Sequence, residues 1–518
     1  MTSALDATPS SLLDLNSDVF SQIIEELSCR GQLRPFSESC RLFRSLAMPV
    51  LFRKCIVRMR KPITSEFLPP QLWPHVRSLR LVDACPYRHP REWKYRTDTY
   101  VYSLRYSDDP LLCGALDAGV LRRSLPEMPR LYSISLHCWA VHGIRDDVAA
   151  SLLSVPQIRD VHISSFLLCP RKAMSHDSTL DIPPLTSFRY TRNPFHIGPG
   201  TQSSELEAIV MVVSKLHGSL EVLKLPAETS PLDDMSQLDW PRLHQLILHG
   251  NTPNQLPIPI IAVICQMPRL RILTLEFTIL PDMSRQCLWP PYWTVNNPLP
   301  QIEELTVTHP HSEDLLYTHL PTSIRRMSLC CRPCYALQLW HPDDYGRWKS
   351  PLSSASELLR ILSGSSLPCL THLGLDYSQD REEEQLLQHL ADSYPHLTSI
   401  ELHRMGDTPL AWPEDTPTMI FITHALWRLR RLEMLRLNLN ISNSGAPYGD
   451  DREFFAWLRA RSLEIAKVIA PMVGPSVALF SLLVPASTGA RWVGYRVSDA
   501  EGRQCVVSEI ANPQAFNF

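Results

Sequence analysis

The residues best placed by type and spacing to do chemistry are the three cysteines of the run Cys330-Cys-Arg-Pro-Cys334. Thiolates and imidazoles are the ligands that zinc prefers, and His319 and His341 lie near enough in the sequence to join such a set. A structural zinc site normally takes two cysteine pairs, whereas this run supplies a single Cys-x-x-Cys. Ordinary thiols at the edge of a folded repeat are the favoured interpretation, so the sequence predicts no metal and no other cofactor.

The sequence lacks the signatures of the common nucleotide-binding and hydrolytic enzymes. Gly-x-x-x-x-Gly-Lys-Ser/Thr, Gly-x-Gly-x-x-Gly, Gly-x-Ser-x-Gly and His-Glu-x-x-His do not occur. Glycine is scarce at 18 residues and proline abundant at 45, which suits short rigid connections and not phosphate-cradling loops. We therefore predict no catalytic residue in this chain.

The chain is organised around a leucine pattern that recurs along most of its length. Pro268-Arg-Leu-Arg-Ile-Leu-Thr-Leu275 has a near twin in Pro241-Arg-Leu-His-Gln-Leu-Ile-Leu248. Alternation with a period of two places the leucines of each copy on one strand face, which needs a neighbouring copy to cover it. Copies end at Leu81, Leu136, Ile163, Tyr190, Leu225, Leu248, Leu275, Val307, Leu329, Leu375, Leu402, Leu437 and, in degenerate form, Leu482.

This repetition resembles a leucine-rich-repeat protein from about residue 70 to about residue 485. Most steps between the copies are 22 to 35 residues, near the roughly 20–29 of such repeats and stretched by insertions. The resemblance implies an α/β fold: a solenoid shaped as an irregular horseshoe, with parallel strands inside and helices outside. A βαβ protein with leucine-rich strands is the alternative.

Composition and charge restrict the class of partner and the compartment. The net charge of −3 gives no overall attraction to nucleic acid. The start of the chain lacks the pattern of a secretory signal, so we expect a cytoplasmic or nuclear protein with reduced cysteines. Residues 468–485 carry no charge, but Pro471, Gly474 and Pro475 interrupt them, which favours a helix end, a turn and a buried strand over a membrane span.

Before the repeats, residues 12–53 have the spacing of short helices. Ser17 or Asp18 can cap a first helix that reaches Leu27; a second segment covers residues 33–46, and a third starts at Met48. Three short helices make a small core, which depends on whatever docks against it.

The order of these residues resembles an F-box, and the run Pro49-Val-Leu-Phe-Arg53 is similar to the fungal version that leads into repeats. The chain departs from the family pattern at Asn16, where proline is usual, and at Phe43, where tryptophan is frequent. The resemblance implies docking on a Skp-family adaptor and, through it, on a cullin. The residues implied in adaptor binding are Leu13, Leu15, Val19, Ile23, Ile24, Leu27, Leu33, Phe36, Cys40 and Phe43.

Charge points independently to an acidic partner for this segment. Between residues 30 and 61 the only acidic residue is Glu38, and the basic ones are Arg30, Arg34, Arg41, Arg44, Arg53, Lys54, Arg58, Arg60 and Lys61. A solvated helix face is one alternative explanation, and nucleic acid is another, although aromatic residues are not interleaved here for stacking on bases.

Recognition of a substrate is expected on the strand residues that alternate with the inward leucines. These mix both charge signs with amides and apolar groups, which suits a protein ligand better than nucleic acid. The candidates are Gln245, Ile247, His249, Ile272, Thr274, Glu276, Glu304, Arg326, His372, Glu401, His403 and Arg436.

The resulting hypothesis is a non-catalytic substrate receptor of a Skp-cullin-F-box ubiquitin ligase, with an unknown protein substrate and neither nucleic acid nor membrane as a partner. The alternative is a repeat scaffold whose first helices only cap the stack. The predicted domains are a tail at 1–11, an F-box-like domain at 12–60, repeats at 61–485 and a hairpin cap at 486–518. Insertions are predicted at 83–129, 164–184, 279–300 and 331–368.

Overall fold

The computed structural model describes most of the chain between residues 16 and 509. The described residues are 16–59, 66–83, 116–138, 143–165, 167–169, 182–192, 203–253, 256–280, 283–295, 299, 301–331, 351–406, 416–440, 451–469, 472–473, 476–486, 489–500 and 504–509. They fall into two compact units, one before and one after residue 208.

The first unit begins with helices and continues as alternating strands and helices. Its helices are α1 (Ser17–Cys29), α2 (Leu33–Ser39), α3 (Arg41–Leu51), α4 (Ala118–Ser124) and α5 (Asp146–Leu153). Its strands are β1 (Lys54–Met59), β2 (Ser78–Asp83), β3 (Ser133–Cys138), β4 (Asp160–Ser165) and β5 (Ser187–Arg192). Helix α6 (Ser203–Leu216) spans the sequence boundary between the units.

The second unit also contains strands and helices and ends in three consecutive strands. Its helices are α7 (Leu232–Ser236), α8 (Ile260–Ile264), α9 (Ala355–Ser363), α10 (Glu383–Ser393), α11 (Thr416–Leu426) and α12 (Asp451–Ile469). Its strands are β6 (Val222–Pro226), β7 (Gln245–Asn251), β8 (Ile272–Thr278), β9 (Glu304–Val307), β10 (Arg326–Leu329), β11 (Ser353–Ser354), β12 (His372–Ser378), β13 (Ser399–Met405), β14 (Met434–Asn438), β15 (Leu479–Ala486), β16 (Gly489–Ala500) and β17 (Gln504–Glu509).

In the first unit the strands β1 to β5 pair in parallel, and the predicted repeat positions lie side by side. The register aligns Val57, Leu81, Leu136, Ile163 and Tyr190. The last four are less than 2% exposed. The predicted strand positions of this unit are therefore confirmed.

In the second unit the strands from β6 to β15 also pair in parallel, and the leucine register continues. One aligned row is Leu225, Leu248, Leu275 and Val307, and another is Leu329, Leu375, Leu402, Leu437 and Leu482. Helix α9 packs on β12 and on α10, and its buried residues Leu358, Ile361 and Leu362 recur at helical spacing. Together with this register, that packing is a leucine-rich-repeat α/β fold.

The start of the chain departs from prediction at the cap of α1. The side chain of Asn16 accepts a hydrogen bond from the Val19 backbone N–H at 2.9 Å, and Asn16 has extended backbone angles. Ser17 and Asp18, which the sequence favours as caps, lie inside the helix. Asparagine is among the best N-cap residues, so the Asn16 side chain caps the helix at the position where the F-box pattern usually has proline.

The two helices that follow α1 meet at Cys40, whereas the sequence predicted one segment over residues 33–46 and another from Met48. Helix α2 ends at Ser39 because Cys40 is extended, and the Cys40 sulfur accepts a hydrogen bond from the Phe43 backbone N–H at 3.4 Å. Helix α3 then runs through Pro49, so no break falls at Met48.

Strand β1 corrects the predicted end of the helical domain at residue 60. Lys54–Met59 alternates between exposed and covered side chains, with Cys55 and Met59 buried. It pairs with β2, placing Val57 opposite Leu81. The first strand of the sheet therefore lies inside the range that the sequence assigned to helices.

The end of the second unit departs from the parallel pattern. Strand β15 pairs antiparallel with β16, and β16 pairs antiparallel with β17. The two segments that the sequence assigns to a hairpin form β16 and β17. Helix α12 stops at Ile469 and β15 starts at Leu479, so the uncharged stretch is divided between a helix end and a strand. Among the described helices, none combines the length and apolar character needed to cross a membrane.

A buried carboxylate ties a helix start to strands in the first unit. Glu205 accepts hydrogen bonds from the Tyr190 hydroxyl at 2.5 Å and from the Leu168 backbone N–H at 3.1 Å. Burial raises the pKa of Glu205, and Arg192, Tyr190 and the Leu168 N–H only partly oppose it. These bonds connect α6 to the strand edge it covers.

The second unit contains a similar buried group with its counter-ion. Arg404 on β13 donates to both carboxylate oxygens of Glu383 at the start of α10, at 2.6 and 3.2 Å. The Tyr377 hydroxyl donates to the same carboxylate at 3.1 Å. The bidentate geometry locks α10 against β12 and β13.

Candidate protein-binding surfaces

The helices α1, α2 and α3 close on a hydrophobic core of their own. Its fully buried members are Phe20, Ile24, Leu33 and Ala47, and the partly buried ones packed against them are Leu27, Phe36, Phe43, Leu46, Val50 and Leu51. The Phe36 and Phe43 rings stack with centroids 4.4 Å apart. All of these residues belong to the three helices, so the helical group is a packed element in its own right.

The residues predicted to bind an adaptor divide into three groups by exposure. Ile24 and Leu33 are buried in the helical core; Ile23, Leu27, Phe36 and Phe43 are half-buried; Val19 and Cys40 are exposed. Leu13 and Leu15 lie outside the described residues. Only the exposed and half-buried members are accessible to a second protein without unfolding.

Apolar side chains remain exposed on this element. Val19 on α1 is 38% exposed and Leu42 on α3 is 46% exposed. Each immediately precedes a core phenylalanine, and Phe20 and Phe43 lie 6.1 Å apart between ring centroids. Helical spacing explains the pattern, since the residue beside a core position points away from the core. The sequence prediction included Val19 and missed Leu42.

Part of the basic charge of this element is already paired. Arg30 contacts Glu26 at 2.7 Å, Arg34 contacts Glu38 at 3.0 Å and Arg53 contacts Glu25 at 3.2 Å. All six side chains are well exposed, so each pair contributes at most about 1 kcal/mol and can exchange for a partner's carboxylates. Arg60 and Lys61 lie outside the described residues.

The second candidate surface is the polar face, which we define as the side of strands β6 to β14 that alternates with the buried leucines. The strand register places the predicted substrate-binding residues in three rows. The first row holds Gln245, Ile272, Glu304, Arg326 and His372; the second holds Ile247, Thr274, Glu401 and Arg436; the third holds His249, Glu276 and His403. The structure thus aligns residues of successive repeats in rows that run across the sheet.

A shallow cavity of about 240 Å³ opens on the polar face between β9 and β14. Both charge signs line it, with Glu304, Arg326, His372, Glu401 and Arg436 on its walls. A cavity of this size and polarity fits side chains of a protein ligand better than a large apolar cofactor.

The charges around this cavity are arranged in pairs. Arg436 contacts Glu401 at 3.2 Å and Arg326 contacts Glu304 at 3.9 Å. Burial would raise the pKa of Glu401, but His403 and Arg436 outweigh it, so the pKa lies below its usual value. For His372, burial and the neighbouring Arg326 lower the pKa. Glu401 is therefore an anion at neutral pH, and His372 is neutral.

His403 is buried, so the prediction that it binds substrate on the exposed face is wrong. Its side chain is 1% exposed and lies 2.9 Å from the Glu401 carboxylate. The ring faces the edge of Trp492 at 5.5 Å between centroids. Trp492 belongs to the terminal hairpin, and the leucine pattern gives no sign that this hairpin covers the end of β13.

The predicted insertions are only partly within the described residues. Trp289 is buried, its indole N–H donates to the Trp293 carbonyl at 2.6 Å, and its ring packs on His319. Tyr292 in the same insertion is 81% exposed. One aromatic therefore closes a gap in the fold while another is available for contact. Cys334 and His341 of the first metal hypothesis lie outside the described residues, as do the aromatics of the insertion at 83–129 up to residue 115.

No family model matches the sequence. No curated protein matches it. Among solved structures 27 chains match, and one of them is described as the crystal structure of a TLR13-ssRNA13 complex. It is 15% identical, with a TM-score of 0.36, over 72% of this chain and 41% of that chain. This chain thus spans less than half the length of that structure, and the leucine-rich-repeat assignment rests on the strand register and burial described above.

Proposed function

We propose that this protein is the substrate-recognition subunit of a Skp-cullin-F-box ubiquitin ligase. In this proposal α1 to α3 are an F-box of the fungal type that docks on a Skp-family adaptor, and the polar face holds a protein substrate. The observation that carries the proposal is a separate helical core, placed directly before the first repeat strand, that leaves Val19 and Leu42 exposed.

The helical element has the properties expected of a docking module. Single exposed apolar residues are common on any protein. Here Val19 and Leu42 are exposed on helices that share one core, and Ile23 and Phe43 on the same two helices are half-buried. The exposed arginines around them favour an acidic partner, and adaptors of this family are acidic.

The polar face suits the second half of the role. It presents paired charges, histidine and aliphatic groups on a rigid parallel sheet, which preserves their spacing when a ligand binds. The proposed role requires no chemistry of this chain, because a ubiquitin-conjugating enzyme bound elsewhere in the complex would transfer ubiquitin.

The test is binding of the purified full chain to a purified Skp-family adaptor, measured by isothermal titration calorimetry. Val19→Asp and Leu42→Asp each place a charge at an exposed position, so folding is preserved while adaptor affinity falls by about 30-fold or more, the level of an interface hot spot. Ile56→Asp is the matched control, since Ile56 is 61% exposed on β1, outside the helices.

If the wild type binds the adaptor and both helix variants bind it equally well, this docking surface is wrong. If the wild type does not bind the adaptor, the proposed function is wrong. The second candidate function, a scaffold whose helices only cap the repeats, predicts that the wild type does not bind the adaptor.

One observation favours this second candidate: the carbonyl of Arg53, just after α3, accepts hydrogen bonds from the N–H groups of Arg77 and Ser78 at 3.0 and 2.9 Å. The helices are thus joined closely to the first strands, as a cap would be.

A further inference from the structure

Three side chains with metal-binding atoms meet at one edge of the polar face. Cys330 follows β10 directly, and Glu401 and His403 are two residues apart on β13, so they share a strand face. One sulfur, one carboxylate oxygen and one imidazole nitrogen lie within 4.8 Å of one another. We propose that Cys330, Glu401 and His403 bind a divalent cation of the zinc class.

The strand between these ligands leaves room for them. Register aligns Ser328 on β10, Gly374 on β12 and Glu401 on β13. A Cβ atom at Gly374 would lie 3.2 Å from the Cys330 sulfur and 3.3 Å from the Ser328 hydroxyl. A larger residue at this position would crowd the sulfur, so glycine here keeps the space between Cys330 and β13 open.

The donor set fits zinc and its soft neighbours better than magnesium or calcium. Zinc takes thiolate, imidazole and carboxylate ligands at roughly 2.0–2.3 Å, which separates tetrahedral ligand atoms by roughly 3.3–3.8 Å. Small side-chain movements bring the three donors to that spacing. Three protein ligands leave a fourth position, on the side where Ser328, Gly374 and Glu401 line the cavity.

A buried carboxylate lies beside the three proposed ligands. Asp376 is 1% exposed, pairs in register with His403, and accepts hydrogen bonds from Cys331. A cation held by Cys330, Glu401 and His403 would offset the charge of this buried carboxylate.

The surroundings hold the ligands in orientation. One carboxylate oxygen of Glu401 is held by Arg436 at 3.2 Å, and the other lies 2.9 Å from Nε2 of His403. Nδ1 of His403 lies 3.3 Å from the Asn438 amide. When a cation binds, the Cys330 thiol releases its proton to solvent. The imidazole stays neutral, with its proton on the ring nitrogen that does not bind the metal.

The test is a titration of the reduced, metal-free full chain with Co²⁺, followed by absorbance. We expect one equivalent to produce a thiolate-to-cobalt charge-transfer band, which zinc then displaces. Cys330→Ser abolishes the band, and Glu401→Gln weakens cobalt binding by about tenfold or more while retaining the band. Cys369→Ser, at an exposed thiol away from the site, leaves both unchanged.

The proposal is overturned if the wild type gives no such band, or if Cys330→Ser keeps it, since other cysteines would then bind the metal. Circular dichroism identifies any variant that fails to fold. Should Cys330→Ser be such a variant, the Glu401→Gln titration decides, and an unchanged affinity overturns the site. Adaptor binding is measured separately, so failure here leaves the proposed function intact.

Discussion

Replacement of Arg404 with methionine is expected to lower the free energy of unfolding of the repeats by about 3–5 kcal/mol. The Arg404 and Glu383 side chains are only 2% and 7% exposed. Methionine fills similar volume but leaves the Glu383 carboxylate buried without its counter-ion. The large cost is that of an uncompensated charge, so urea denaturation of Arg404→Met should give a clearly lower midpoint than the wild type.

The matched control is Arg428→Met, the same substitution in an ion pair at the surface. Arg428 and its partner Asp392 are 59% and 52% exposed, so solvent screens the pair and the expected loss is below about 1 kcal/mol. The double variant Arg404→Met with Glu383→Leu removes both charges and should recover much of the loss. Equal destabilisation by Arg404→Met and Arg428→Met would show that the buried pair does not hold α10 to the sheet.

Truncation of Leu248 to alanine is expected to cost about 2–5 kcal/mol, whereas Ile247→Ala should cost about 1 kcal/mol or less. The two side chains have the same composition and adjacent positions on β7. Leu248 is 1% exposed in the leucine row, while Ile247 is half-buried on the polar face. The difference between the two losses of stability therefore shows which face of β7 packs in the core. A register shift of one residue would exchange the two positions.

The variants Leu248→Ala and Ile247→Ala also distinguish an effect on folding stability from an effect on substrate binding. Ile247→Ala should lower the unfolding midpoint only slightly and stay folded, so any loss of substrate binding by this variant is assignable to the polar face. A larger loss of stability for Ile247→Ala than for Leu248→Ala would contradict the register.

The repeat strands could be predicted because their signal is local. Alternation within each copy sets which side chains face the core, and parallel pairing then aligns copies such as Leu248 and Leu275 without further information. β1 escaped prediction because it follows α3 after two residues and lacks the leucines of the other copies.

The grouping of Cys330, Glu401 and His403 could not be predicted, because it depends on which strands become neighbours. The sequence associated Cys330 with nearby cysteines and histidines, whereas the fold places it near β13, two strands further along the sheet. Likewise, His403 packs against Trp492 of the hairpin formed by β16 and β17, a contact that the leucine pattern does not predict. Proximity across strands has no short-range signature in the chain.

In α1 to α3 the spacing of apolar residues predicts that helices form but not where they begin and end. Apolar spacing identified α1 but not all of its core, because Val19 is exposed and Phe20 is buried. The cap at Asn16 and the break at Cys40 depend on single side-chain hydrogen bonds. Ile24 packs inside and Leu42 projects outward, and each orientation follows from the position of the residue relative to the core residues of its helix.

The most direct measurement of the central claim is hydrogen–deuterium exchange of the full chain, alone and saturated with a Skp-family adaptor. Our account predicts slower amide exchange in α1 to α3 on adaptor binding, with exchange in β6 to β14 unchanged, so that the polar face stays free for a substrate. Protection confined to the repeat strands, or none at saturating adaptor, would contradict it.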